Sequence, residues 1–482
     1  MPGGIIQLVA YGGQDFYLTG NPQISFFKNV YRRHTNFSME MINIEPYTSS
    51  NELRETSETV LKFKINRNAD LIREIYFLFT LPDIFSSTDD KFQWIDRIGE
   101  YIIKEAKFTI GDKDIDTLYP EWLHIWTELT IEESKKTGYN KMIGNISDLT
   151  NPLNSSNSYP TEDGSKIRPT IKSRQIIVPL PFWFTYCIGS ALPLISLQYE
   201  AEPEIRLSLR GFGDLYTVIH NGGDDFRKKF PNSTFNLGKF TTNDESSISS
   251  LDILPTIEVN YIFLDNDERK RFADSEHQYL IHTLQRVEYS ITPSLNAEGD
   301  TNAFDIKFQH PISNLMWHLR RSDFKSNNQF YNFTNRPDRD IEPILNPTDY
   351  NEFSDEDTFD TTTINSLRHT DLLKSAVLKF NGVDRFSSKK ANMFNLTNNY
   401  QHMKRVPESG IYVYSFNLNL DIKKHQPNGA CNFSYINNPQ MEVITIPKAK
   451  DADNYSYDIQ FFGLTYNIFR IMGGMGALEY SN

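Results

Sequence analysis

The residues best able to do chemistry are thinly spread and badly spaced for it. Cys187 and Cys431 lie far apart, give neither a metal spacing nor a disulfide framework, and fit a reducing compartment. His277 and His282 stand five apart, whereas zinc chemistry of the HExxH type needs two histidines four apart on one helix face. Ser190 and Ser409 lack the G-x-S-x-G elbow that presents a nucleophile. The phosphate-cradling G-x-x-x-x-G-K-[ST] pattern is absent. Gly473-Gly-Met-Gly476 has no room after it for a βαβ unit and reads as a flexible strand exit. Asp265-x-Asp267 has no glycine at the sixth loop position, so an EF-hand fits poorly. The acidic run Asp355-Glu356-Asp357 with Asp360 reads as a solvated loop rather than a cation site. A paired-carboxylate glycoside hydrolase stays open, because the separation of candidate acids is not written in a sequence. N-x-[ST] patterns at Asn36, Asn145, Asn154, Asn232, Asn332, Asn395, Asn432 and Asn454 read mostly as Asn-rich turns. The expectation is no catalytic residue, no cofactor and no metal.

The elements that would position such residues are strands. Val60–Asn66 (VLKFKIN) alternates Leu61, Phe63 and Ile65 with Lys62, Lys64 and Asn66, the pattern of a half-buried strand. Ile72–Leu81 follows as a more fully buried one. Both patterns return, as FDIKFQ at Phe304–Gln309 and ISNLMWHL at Ile312–Leu319. A strand running into a glycine turn occurs as FTIGDKD from Phe108 and as LKFNGVD from Leu378. Pro203–Leu207 matches Pro439–Val443, and Asn260–Phe263 resembles Tyr466–Phe469. Five matches in one order describe one β module used twice.

The separation between matched blocks is nearly constant for the first two pairs, widens at the glycine turns and narrows afterwards, which locates insertions. Extra residues fall in Lys325–Thr370 of the second copy, and in the first copy between Gly111 and Pro203 and again at Gly211–Leu251. The second of these holds PEWLHIWTELTIEESKK, with Pro120 at a helix start and Trp122, Trp126 and Leu129 at helical spacing. Loops grow while strands keep their order. Between the copies, Asp265–Gln285 reads as an inter-domain helix capped by Asp265 or Asn266, with Phe272, Tyr279 and Leu280 facing a domain. Ile176–Leu197 carries no charge over a length that would admit a membrane span, but Pro179, Pro181, Gly189 and Pro193 break it into two buried strands with a bend.

Composition agrees. A chain of 482 residues with 34 Phe and 25 Tyr leans toward two β domains. Its net charge of −13, from 49 basic against 62 acidic residues, argues against coating nucleic acid directly. The start of the chain shows no secretory signal pattern. Gly3–Glu40 reads as an ordered arm: aromatics, paired glycines, the turn signal Asn21-Pro22, and a basic cluster of Arg32, Arg33 and His34 with Lys28.

That arm resembles the opening of the major capsid proteins of large eukaryotic DNA viruses. The resemblance extends through Trp94–Asp116, Glu121–Thr130, the PLPFWF…ALPLISLQY run, the DNDERKRFA segment, His425–Pro439 and Tyr466–Asn482, and leaves only Tyr216–Ile248 and Lys325–Leu367 without a counterpart. It implies an all-β fold of two tandem eight-stranded antiparallel jelly rolls, a double jelly roll with short helices in loops and between domains. Residues 1–27 would be the arm, 28–265 the first roll, 266–285 the inter-domain helix and 286–482 the second roll. It implies a structural, non-enzymatic role as a homotrimeric, pseudo-hexagonal capsomer in the outer shell of an icosahedral virion, made and assembled in host cytoplasm. Partners would be neighbouring capsomers, minor capsid or cement and penton proteins, and possible proximity to an inner viral membrane. A carbohydrate-binding jelly-roll module, or a minor capsid or penton component, is the alternative. Phe16, Tyr17, Phe26, Phe27, Arg32 and Arg33 are the expected subunit or under-shell contacts. The basic cluster would either pair with acidic neighbours at a domain base or subunit contact, or face inward toward minor shell proteins or a membrane.

Overall fold

A computed structural model describes residues 3–48, 52–86, 90–111, 113–150, 168–198, 202–220, 229–230, 236–241, 248–292, 301–335, 371–420, 426–447 and 455–480. Met1–Phe37 and Ser38–Asn482 form two separate compact units.

The larger unit contains the duplication. Its first half supplies β1 (Phe37–Ile44), β2 (Thr59–Lys64), β3 (Leu71–Leu81), β4 (Ile103–Ile110), β5 (Lys113–Leu118), β6 (Arg174–Pro179), β7 (Glu204–Leu209) and β8 (Thr256–Leu264). The second half supplies β9 (His277–Ile291), β10 (Thr301–Asp305), β11 (Pro311–Arg321), β12 (Leu373–Phe380), β13 (Val383–Asp384), β14 (Ile411–Ser415), β15 (Gln440–Thr445) and β16 (Tyr457–Met472). The sheets run β1-β8-β3-β6 and β2-β7-β4-β5 in the first half, and β9-β16-β11-β14 and β10-β15-β12-β13 in the second. Adding eight to each strand number converts one half into the other. These are two eight-stranded jelly rolls in tandem, and all five repeated blocks fall on equivalent strands.

Alternation explains the cores. Leu61 and Phe63 of β2 and Ile205 and Leu207 of β7 point into the first sandwich, while Leu315, Trp317 and Leu319 of β11 fill the second. The glycine turns are tight hairpins, with Gly111 at φ 61° and Gly382 at φ 79°, where a side chain would be strained. Met472-Gly473-Gly474-Met475 is a third such turn, with φ 56° and 82° at the two glycines, and it pairs β16 with a terminal strand, Met475–Leu478. The expected flexible strand exit is therefore an ordered hairpin, because two consecutive left-handed glycines match the twist of paired strands.

Connections divide by pole. One end of each roll carries the short links β2–β3, β4–β5, β10–β11 and β12–β13 together with the longer connections 180–203 and 416–439. The opposite end carries β3–β4, β5–β6, β7–β8, β11–β12 and β13–β14, whose connections include 119–173, 210–255 and 322–372.

Three boundaries differ from expectation. The arm does not stop at Phe27: residues 28–36 pair with no strand, and β1 begins at Phe37. The helix expected over Asp265–Gln285 covers Asn266–Asp274 and ends at Ser275, which is extended at φ −92° and ψ 147°. Tyr279 and Leu280 belong instead to β9, whose fifteen residues pair with β16 from His277 to Ile291. The strand wins because all fifteen residues of β9 lie along β16, a tertiary pairing that overrides local propensity. In Ile176–Leu197 only Arg174–Pro179 is a full strand; 3-10 turns and the two-residue strand Leu192–Pro193 complete it. Among the described residues no helix is long and apolar enough to cross a membrane.

Candidate functional site

The sandwiches meet along a buried seam, and most of the buried charge among the described residues gathers there. Two helices from the β5–β6 connection build the first roll's side: α1 (Pro120–Thr130) and α2 (Glu133–Ile143). Pro120 starts α1 at a position where a missing N–H costs nothing, and Gly144, at φ 79°, ends α2 in the left-handed region. The expected tryptophan stripe is buried, but so is the rest of α1 from Pro120 through Leu129. The second roll contributes the outer face of β9-β16-β11-β14. On β11, Met316, His318 and Arg320 alternate with the core residues and point across the seam, so the strand is buried on both faces.

Aromatic packing supplies the apolar part. Trp122 packs on Phe462 with centroids 5.9 Å apart, and Trp183 lies 5.1 Å from Phe469 and 5.8 Å from Tyr279. Asn328 of the β11–β12 connection donates to the Gly213 and Tyr216 carbonyls at 3.1 and 2.9 Å. Long-connection ends therefore meet each other, and Trp183 and β9 meet at the opposite end: the rolls stand side by side in the same sense.

Two ionic clusters cross the seam. In one, Arg97 pairs with Glu100 at 3.1 Å and with Glu128, while Arg405 of the second roll takes the other Glu128 oxygen. Lys136 of α2 lies 3.0 Å from Glu408 and 3.7 Å from Glu128. Arg97 itself sits at φ 55°, an uncommon conformation for a residue with a Cβ, tolerated where surrounding contacts fix it. Burial works against the charge on Arg97, but Glu100 and Glu128 outweigh it and raise its pKa. Burial raises Glu100 despite Arg97, Tyr139 and Thr127. In the other cluster, Arg320 lies 3.3 Å from Glu121 and donates to the Phe330 carbonyl at 3.0 Å. Burial alone would raise the Glu121 carboxyl, yet Arg320, Arg210 and His318 bring it down to about 2.

Between the clusters, Phe333 stacks on His318 at 4.0 Å and on His124 at 5.0 Å. His318 Nε2 faces Gln460 at 3.3 Å and His124 Nδ1 faces the Tyr101 hydroxyl at 3.0 Å, leaving His318 Nδ1 and His124 Nε2 buried without a hydrogen-bond partner. Burial and then Arg320 push His318 down to about 3; burial, with Arg97, His318, Lys136 and Arg405, holds His124 well below its ordinary value. Both rings are thus neutral.

One grouping invites a metal: His124, Glu128 and Glu408 offer ligand atoms within 4.8 Å of one another. The protein's own cations already fill that space, since Arg97 and Arg405 occupy the Glu128 carboxylate and the Lys136 ammonium bridges toward Glu408. The donor set does not fit a further dication, and the arrangement is an interlock rather than a reaction centre.

The sequence-predicted contacts lie elsewhere. Phe16, Tyr17, Phe26 and Phe27 are exposed in the arm, Phe27 at 99%, and Arg32 and Arg33 are exposed too. The acidic run at Asp355–Asp360 falls outside the described residues, as do Asn154, Asn232 and Asn454. Asn332 and Asn395 are buried and hydrogen-bonded, the latter to the Glu408 and Ile411 carbonyls, so neither is open to a glycan. Glu121, His124, Glu128, His318 and Arg320 were not singled out by sequence. No local signal marked them, because tryptophans on one side of α1 with Glu121, His124 and Glu128 on the other is also the pattern of a half-exposed amphipathic helix.

Two family models divide the chain where the helix Asn266–Asp274 begins. "Major capsid protein N-terminus" matches residues 25–265, and "Large eukaryotic DNA virus major capsid protein" matches residues 268–477. The chain belongs to the major capsid protein family of the large eukaryotic DNA viruses. Among its relatives, the major capsid protein of Phaeocystis pouchetii virus is 33% identical over 100% of both chains, and that of Paramecium bursaria Chlorella virus 1 is 31% identical over the same share. A quasi-atomic model of the PBCV-1 virus capsid superposes with a TM-score of 0.67 at 26% identity, covering 95% of this chain and 100% of that one. The Faustovirus major capsid protein shares the fold, with a TM-score of 0.66 at 12% identity over 96% of this chain and 94% of that one. This capsid protein is a structural component of the virion shell and assembles with neighbouring capsid subunits. The seam joins its two sandwiches into one compact unit.

Proposed function

We propose that the capsid protein works as a homotrimer in which six similar sandwiches form a pseudo-hexagonal capsomer, and that such capsomers tile an icosahedral shell. The observation that carries this reading is the strand-for-strand identity of the two sheet pairs. A chain with two like wedges, repeated three times about an axis, has a near-hexagonal outline that packs a plane without gaps. The contribution is geometric, and the buried charges serve alignment rather than turnover. The arm, with Phe16, Tyr17, Phe26 and Phe27 as apolar anchors and Arg32 and Arg33 as its charges, contacts neighbouring capsomers, minor capsid, cement or penton proteins, or lies near an inner membrane. Assembly takes place in the reducing host cytoplasm, consistent with two free cysteines. Light scattering of the purified full chain tests the core of this reading. It should give about three times the 56.0 kDa chain mass, with hexagonal particles in negative stain; a species that stays monomeric at high concentration overturns it.

A further inference from the structure

A proton that reaches the seam is received differently at its two ends. β11 runs from Pro311, at the end that carries the tight hairpins, to Arg321, where the 322–372 connection leaves. His318 and Arg320 therefore stand near the long-connection end. α1, with Glu121, His124 and Glu128, belongs to the 119–173 connection at that same end. Trp183 lies in the 180–203 connection at the hairpin end, packed on Tyr279 and Phe469.

At the long-connection end an added proton has nowhere good to go. His318 and His124 are buried and share the ring of Phe333. Gln460 and the Tyr101 hydroxyl each take one imidazole nitrogen, and the other nitrogen of each ring has no acceptor. The neighbouring carboxylates are already engaged: Glu121 by Arg320, Glu128 by Arg97 and Arg405, Glu408 by Lys136. Facing His318 are Arg320 of its own strand, Arg286 of β9 and Glu121 of α1, with Arg210 beyond Glu121. Facing His124 are Arg97, Lys136 of α2 and Arg405 of the second roll. A new imidazolium would thus be buried among cations whose counter-ions are spent. Glu100, bonded to Arg97 and the Tyr139 hydroxyl, works the other way because burial raises it, but two imidazoles outnumber it.

The hairpin end has the opposite chemistry. The buried Asp116 carboxylate accepts from the Trp183 N–H at 3.1 Å. Among the described residues it pairs with no cation; the Tyr186 hydroxyl faces it, and the His282 ring of β9 lies 6.3 Å from the Tyr186 ring. Burial pushes Asp116 up to about 7, so its charge costs most at neutral pH and this end tightens as the carboxyl takes a proton. Away from the ionic seam, the buried ionisable side chains among the described residues are Asp70 and Asp116. The sandwich cores themselves offer acid little to act on.

We propose that the seam is a proton-operated hinge: acid parts the two rolls at the Phe333 end, the Asp116–Trp183 end holds as the pivot, and neither sandwich unfolds. The device lies within one chain and does not depend on the trimer reading. Its ligand is the proton, and its two-state element is the contact between α1 and the outer face of β11.

Hydrogen–deuterium exchange of the full chain at pH 7 and pH 4.5, read by mass spectrometry and corrected for the intrinsic pH dependence of exchange, tests it. The lower pH is two units below the 6.5 of an ordinary histidine, and at about tenfold per unit one imidazole supplies up to about a hundredfold in opening. Residues 120–130 and 328–334 should exchange at least about tenfold faster at the lower pH, while 183–186 and 279–281 exchange no faster and 59–64 and 373–380 stay unchanged. His318→Gln should remove part of the acceleration, and His318→Gln/His124→Gln nearly all of it. The single variant decides alone if the double one does not reach the wild-type unfolding midpoint at pH 7. Asp116→Asn should keep the acceleration at 120–130 while making 183–186 insensitive to pH. No acceleration at 120–130, an acceleration that survives His318→Gln undiminished, or one spread evenly over 183–186 and the sandwich strands would overturn the hinge.

Discussion

Replacing Arg320 by Met removes one half of the most deeply buried ion pair between the rolls. The Arg320 and Glu121 side chains are 2% and 5% exposed, so the surviving carboxylate would be left in a medium that water does not reach. Losing one partner of a buried pair costs about 3–5 kcal/mol. A second route gives a similar size: Glu121 held at about 2 rather than 4.5 corresponds to about 3 kcal/mol at about 1.4 kcal/mol per pKa unit. Denaturant unfolding followed by tryptophan fluorescence suits the question, since Trp122 and Trp183 sit on the seam. Arg320→Met should lose about 3 kcal/mol, and Glu121→Gln less, because the amide still accepts from the guanidinium. The Arg320→Met/Glu121→Gln double variant should recover part of the loss, with a coupling of at least about 1 kcal/mol. A loss under about 1 kcal/mol for Arg320→Met, or strict additivity, would refute the claim that this pair locks the seam.

His318 sits at about 3, below its unfolded value of 6.5, so its contribution is complete above pH 6.5 and lost as pH falls toward 3. His318→Gln should spare roughly 2–3 kcal/mol at pH 4.5, read from unfolding midpoints against pH. Asp116 is pushed by burial up to about 7, against the backbone N–H groups of Trp183 and Thr117, so it destabilises as pH rises from 3.8 to 7. Asp116→Asn should stabilise by about 2–3 kcal/mol more at pH 7 than at pH 5. The two groups oppose each other, so wild type should show a flatter acid limb than Asp116→Asn; parallel curves would refute the assignment. Gly410, at φ 94°, sits where an added Cβ would fall on the Phe333 carbonyl oxygen. Gly410→Ala should lower the unfolding free energy by about 1–3 kcal/mol and disturb the Phe333–histidine stack, visible as altered histidine ring resonances.

The sandwiches were legible in the sequence and the seam was not, for one physical reason. VLKFKIN and FDIKFQ announce strands because one face meets a core and the other water, and the glycines at 111 and 382 announce hairpins because few other residues accept that φ. A double jelly roll follows once the blocks recur in order. His318 and Arg320, by contrast, alternate with Trp317 and Leu319 just as solvent-facing residues would. Glu121, His124 and Glu128 likewise look like the wet side of an amphipathic helix. Their burial is conferred by partners some two hundred residues away in the chain, which no local period reports. The helix over Asp265–Gln285 overran for a related reason: Tyr279 and Leu280 suit either period, and only the sixteen-residue β16 beside them decides for a strand.

The gathering of the three longest connections at one end of the rolls has a bearing on how such a shell can change. Chain length can accumulate within 119–173, 210–255 and 322–372 without altering the order of the strands that frame each tile. A lineage could therefore lengthen these excursions while the masonry beneath keeps its gauge.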